Sequence, residues 1–127
     1  MFGQRHLWTY VVVWINNPAV ENPKILAVSL GDGLRARRTR KIPSDDELED
    51  EVGIKVKHLW DGVHNGQMLE FTTEDGKEQD PVTWDQLSAN ARQAFNEVRW
   101  GKQKMPLNDD EFRNNLELAW PTEQQKK

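Results

Sequence analysis

Between positions 35 and 41 five of seven residues are cations: Arg35, Arg37, Arg38, Arg40 and Lys41. Arginine offers phosphate oxygens a planar fork of donors, and a two-stranded β-ribbon fits a nucleic-acid groove, so this run is a predicted polyanion-binding segment. Two features act against it. Alternate residues of a strand point to opposite faces, so Arg35 and Arg37 cannot share a patch with Arg38 and Arg40 unless the strand twists or ends. Asp45, Asp46, Glu47, Glu49, Asp50 and Glu51 follow at once, and an acidic segment folded back on the run would neutralise it within the chain.

A second cluster is His58-Leu59-Trp60-Asp61-Gly62-Val63-His64, two imidazoles and a carboxylate of the types that hold zinc or move protons. In an extended strand His58, Trp60 and, absent a bulge, His64 share a face while Asp61 points away, so the spacing is not diagnostic of a metal site. A third is Glu47-Leu48-Glu49-Asp50-Glu51-Val52-Gly53-Ile54, which resembles the second half of the Nudix box. That resemblance implies a divalent metal held by Glu47 and Glu51 for pyrophosphate hydrolysis, and it spans these eight residues. Asp46 stands where the preceding arginine belongs, Arg38 where the first half has its glutamate, and Pro43 interrupts the loop. Ser29, Ser44 and Ser88 lie in no nucleophile elbow, and Gly31-Asp32-Gly33 lacks the spacing of a phosphate loop. No catalytic residue, metal or cofactor is therefore predicted.

The chain that must position these residues has 127 of them, no cysteine, a formal charge of -4 and 36% hydrophobic content. That length predicts one domain over 1–121, with 122–127 as a disordered tail. The net charge disfavours attraction of the whole surface to nucleic acid or anionic membrane. Absence of cysteine excludes disulfides and thiolate chemistry. Residues 1–6 lack the charged-then-apolar order of a leader, so a cytoplasmic protein without membrane attachment is expected.

Residues 6–15 are rich in β-branched and aromatic types and read as a strand apolar on both faces, hence central. Residues 24–30 and 34–42 form a predicted hairpin across Gly31-Asp32-Gly33. Ser44 and Glu47 have capping-box spacing, which starts a short acidic helix over 45–52. If Asn65-Gly66 is a two-residue turn, Trp60 faces Phe71, and Asp61 meets Glu70 as a like-charge pair that suggests a bulge. The polar stretch 77–80 reads as an edge strand.

Thr83 with Gln86 and Asn108 with Glu111 have capping spacing, predicting a helix over 84–100 and another that begins after Asn108 and ends at Pro121. The fold class that follows is α+β: a mostly antiparallel five- to six-stranded sheet, a short acidic helix, and two C-terminal helices packed on one face.

Six tryptophans and a doubly apolar first strand exceed what two short helices comfortably cover. Trp8, Tyr10, Trp14 and Trp60 are accordingly the predicted protein interface, for a partner or for self-association. The function expected from these features is a non-catalytic binding or regulatory accessory module, of the kind viruses and mobile elements encode, acting through its sheet. A nucleic-acid binder and a metal-dependent hydrolase, the latter using Glu47 and Glu51 or His58 and His64, are the alternatives.

Overall fold

The computed structural model describes residues 8–31, 38–50, 53–61, 66–98 and 105–120. Within them lie five strands, β1 (Val11–Ile15), β2 (Ile25–Gly31), β3 (Arg38–Lys41), β4 (Val56–Asp61) and β5 (Gly66–Phe71), and two helices, α1 (Ala89–Glu97) and α2 (Asp109–Ala119). Single 3-10 turns occupy Asp45–Glu47 and Trp84–Gln86.

The strands do not form the five- to six-stranded sheet that the sequence predicts. They make a three-stranded antiparallel sheet in the order β1-β2-β3 and a separate two-stranded hairpin, β4-β5. The chain between β3 and β4 explains the division. Pro43 cannot donate to a ladder, a 3-10 turn follows, and among the described residues before β4 there is the isolated bridge Leu48↔Ile54 and no further strand. Residues 77–80, predicted as an edge strand, are irregular.

The centre of the larger sheet is β2 rather than β1. Ala27, Val28, Ser29 and Leu30 are all 2% exposed or less, so both faces of this strand are covered. On one face Ile25, Val28 and Leu30 meet Val11, Ile15, Leu48, Ile54, Val56, Leu69 and Phe71, joining the sheet to the hairpin. Small Ala27 and Ser29 alternate with them along the strand, Trp14 is the ladder partner of Ala27, and α2 lies against β2. Among the described residues β1 pairs only with β2, with a register shift between Trp14 and Ile15.

Ser29 has one oddity: its Oγ is buried without a hydrogen-bond partner. A hydroxyl in that state costs roughly 1–3 kcal/mol of desolvation. Ser29→Ala is therefore expected to be neutral or to stabilise the protein by up to about 1 kcal/mol, read from the urea midpoint.

The helix predicted over 84–100 is two elements. Thr83 and Gln86 close a capping box around the 3-10 turn Trp84–Gln86, Leu87 is extended, and Ser88 caps α1 by accepting a bond from the Ala91 N–H at 3.1 Å. Serine competes well as a cap and poorly inside a helix, so Ser88 restarts the helix instead of continuing it. Asn108 caps α2 as its spacing predicts, accepting from the N–H groups of Asp110 and Glu111.

α2 is fastened to the segment around β1. Tyr10 Oη donates to Asn115 Oδ1 at 3.2 Å, Trp14 Nε1 donates to the Ala119 carbonyl at 3.1 Å, and Trp14 meets the Trp120 ring edge-on at 4.6 Å.

Candidate functional site

The hairpin is where apolar surface leaves the core. Its register pairs Val56 with Phe71, His58 with Leu69 and Trp60 with Gln67, four residues away from the register a two-residue turn at Asn65-Gly66 would set. The observed register removes the like-charge pair Asp61 with Glu70 and sets Lys57 opposite Glu70 instead, with Nζ to Oε2 at 3.4 Å; opposite charges across a ladder are favoured. Val56, His58 and Trp60 share one face. Val56 lies at its packed end, His58 is exposed, and Trp60 at the far end is 59% exposed.

Of the four aromatic residues predicted as an interface, three have partners within the chain. Trp8 meets the Phe95 ring edge-on at 5.7 Å, and Tyr10 and Trp14 hold α2 as described. Trp60 carries the large exposed ring.

The basic run is placed unevenly. Arg35 and Arg37 lie outside the described residues, and Arg38 and Arg40 belong to β3. Lys41 faces inward to a junction: its Nζ donates to Glu47 Oε1 at 2.5 Å and sits 4.5 Å from the centre of the Phe71 ring. Glu47 is 9% exposed, and its Oε2 accepts the Ser44 N–H at 2.9 Å. Burial, the largest single influence on that carboxyl, pushes its pKa up, but Lys41 and the Ser44 N–H and hydroxyl together outweigh it and hold the pKa below the ordinary value. Glu47 is thus already partnered and is no open metal ligand. Glu51 and His64 lie outside the described residues, and among the described ones no three His, Asp or Glu side chains could hold a metal.

An open groove of about 480 Å³ beside the packed end of the hairpin is lined by Glu49, Asp50, Lys55, Lys57, Glu74, Asp75, Lys77 and Glu78 together with neighbouring backbone and apolar residues. Its charges are partly matched from within. Lys55 Nζ lies 2.8 Å from Asp75 and 3.8 Å from Glu49. The bond to Asp75 raises the lysine pKa and lowers that of Asp75.

Neither helix among the described residues is long and apolar enough to cross a membrane.

Comparison with known proteins gives a consistent answer. The family described as "Necrosis inducing protein (NPP1)" matches residues 1–119. The NLP effector protein Pc107869 of Phytophthora capsici is 44% identical over 121 residues, which are 94% of this chain and 34% of that protein. The chain thus spans about a third of the length of this relative. The solved structure of the non-toxic HaNLP3 protein superposes with a TM-score of 0.84 at 31% identity, over 94% of this chain and 54% of that one. NLPPya in complex with glucosamine gives 0.79 at 29% identity, over 94% and 55%, and the same protein has been solved with mannosamine. A further solved relative, at 30% identity and a TM-score of 0.77 over 94% of this chain and 54% of that one, is described as a toxin fold for microbial attack and plant defense.

These likenesses correct several expectations. A viral or mobile-element regulatory accessory module, a nucleic-acid binder and a metal-dependent hydrolase all give way to the effector family. The homo-oligomeric, cytoplasmic protein expected from the sequence conflicts with relatives that are named effectors. The polyanion and metal readings rested on charges of which Lys41 and Glu47 are used on each other, and the accessory-module reading rested on an aromatic surplus of which Trp8, Tyr10 and Trp14 are taken up within the chain. Matched from residue 1 to residue 119, this chain belongs to the necrosis-inducing protein (NPP1) family.

Proposed function

We propose that the chain acts outside the cell that makes it, as an effector-type domain directed at plant tissue, and that it recognises a sugar through the surface around Trp60. The observation that carries this is the exposed Trp60 ring beside an exposed His58, on a hairpin face whose other end is packed into the core. A pyranose has an apolar C–H face and a rim of hydroxyls. It matches a surface with one flat aromatic ring and polar neighbours, because the ring takes the C–H face and the neighbours take hydroxyls. The glucosamine and mannosamine complexes of NLPPya support this ligand class. Recognition, not killing, is the property proposed, since the relatives include a protein described as non-toxic.

Calorimetric titration with glucosamine and mannosamine tests the reading. Trp60→Ala is expected to weaken binding at least tenfold, about 1.4 kcal/mol. Stability should move by no more than about 0.5 kcal/mol, as for other exposed positions. Absence of binding by the unaltered protein, or full affinity in the variant, would overturn it.

A further inference from the structure

We infer that Lys41 is a positioning residue for the Trp60 surface: from β3 it pins the β4-β5 hairpin to the three-stranded sheet and so fixes the direction in which Trp60 is presented. The inference rests on the sugar-recognition reading for its function, but its structural part stands separately.

The two sheets share no ladder. What joins them is the apolar contact of Ile25, Val28 and Leu30 with Val56, Leu69 and Phe71, and apolar contact is non-directional. Such a contact holds two sheets together without choosing one angle between them. Lys41 adds the directional element. Its ammonium lies against the Phe71 ring of β5 and bonds Glu47 of the 3-10 turn. Glu47 in turn accepts the Lys55 N–H on its carbonyl at 2.8 Å, one residue before β4 begins. The ammonium thus meets β5 directly at the Phe71 ring, and it holds in place the turn whose main chain receives the residue before β4. Trp60 lies four residues further along β4 than Val56, so roughly 13 Å of strand separates it from the pinned end. A small change of angle at the pin becomes a displacement of the ring at the tip. Lys41 touches no ligand in this scheme and acts only through the hairpin.

The test compares Lys41→Met and Lys41→Arg with Met105→Ala, a change at a buried residue outside the layer shared with the hairpin that lowers the thermal midpoint without touching the pin. At a temperature well below all the midpoints, Lys41→Met is expected to weaken glucosamine binding at least threefold. It should also speed hydrogen exchange over residues 56–60 at least tenfold. Lys41→Arg should restore both, and Met105→Ala should leave both near the unaltered values. Wild-type affinity and exchange in Lys41→Met, or equal losses in Met105→Ala, would overturn the inference. If the unaltered protein bound no glucosamine, the sugar reading would fail by itself, while the exchange measurement would still decide whether Lys41 pins the hairpin.

Discussion

Leu30→Ala is expected to cost about 3 kcal/mol, within the roughly 2–5 kcal/mol range of buried leucine truncations. Leu30 is 2% exposed, lies in the middle strand of the larger sheet, and contributes to the apolar layer shared with the hairpin. Shortening it removes methyl groups from contact with both sheets, and the strand cannot move to close the gap because it is paired on both sides. For a domain of this size the change corresponds to a fall in thermal midpoint of roughly 10 °C, which calorimetry would register. The adjacent Ser29→Ala supplies a contrast in sign, since that position loses an unpartnered hydroxyl and little packing. A cost below about 1 kcal/mol at Leu30 would mean that β2 is not the centre of the fold.

Glu47→Gln is expected to destabilise the protein by about 2 kcal/mol at neutral pH. The figure reflects a charged hydrogen bond with one partner largely buried and the other partly open to solvent, the Lys41 side chain being 40% exposed. The amide keeps the shape and can still accept the Ser44 N–H, so the loss is mainly that of the charge facing Lys41. The pH dependence has a definite sign. Because the carboxyl pKa is lower in the folded protein than its ordinary value of 4.5, the unfolded chain binds the proton more tightly. The contribution of Glu47 is therefore complete above about pH 5, shrinks as the pH falls through that ordinary value, and is gone below the folded-state pKa. Urea midpoints of the two proteins should differ at pH 7, and the difference should narrow as the pH falls below 4.5. A difference that does not narrow there would remove the ionised pair from the explanation.

What the sequence disclosed depended on how local the cause was. Caps were legible because they are settled within four residues: Ser44 with Glu47, Thr83 with Gln86, and Asn108 all mark element starts, but the first opens a single 3-10 turn and not the acidic helix expected over 45–52, since Leu48 is already extended. The strand at 24–30 was also legible, as a short run of β-formers between turn residues. Sheet membership was not, because it depends on what lies between strands, and the effect of Pro43 with the following 3-10 turn cannot be weighed from propensity alone. The hairpin register was misread for a related reason. Asn65-Gly66 is a strong turn signal, but the opposite-charge match of Lys57 with Glu70 and the burial of Val56 with Phe71 set a different pairing. That displacement turned Trp60 from a presumed partner of Phe71 into the exposed ring of the candidate site. The basic run was half legible: an acidic segment folded back to neutralise it was expected and Lys41 does pair with Glu47, but the seat of Lys41 against the Phe71 ring was not visible.

The bonds that fasten Tyr10 and Trp14 to α2 each join positions 105 residues apart. At ribosomal speeds of 5–20 residues per second, roughly 5–20 s pass between the synthesis of the two partners. Through that interval Val11–Ile15 is a synthesised strand whose cover by α2 and Trp120 has not yet been made. Its pairing with β2 can form early, but Tyr10 and Trp14 wait for residues 115–120 before they gain these partners.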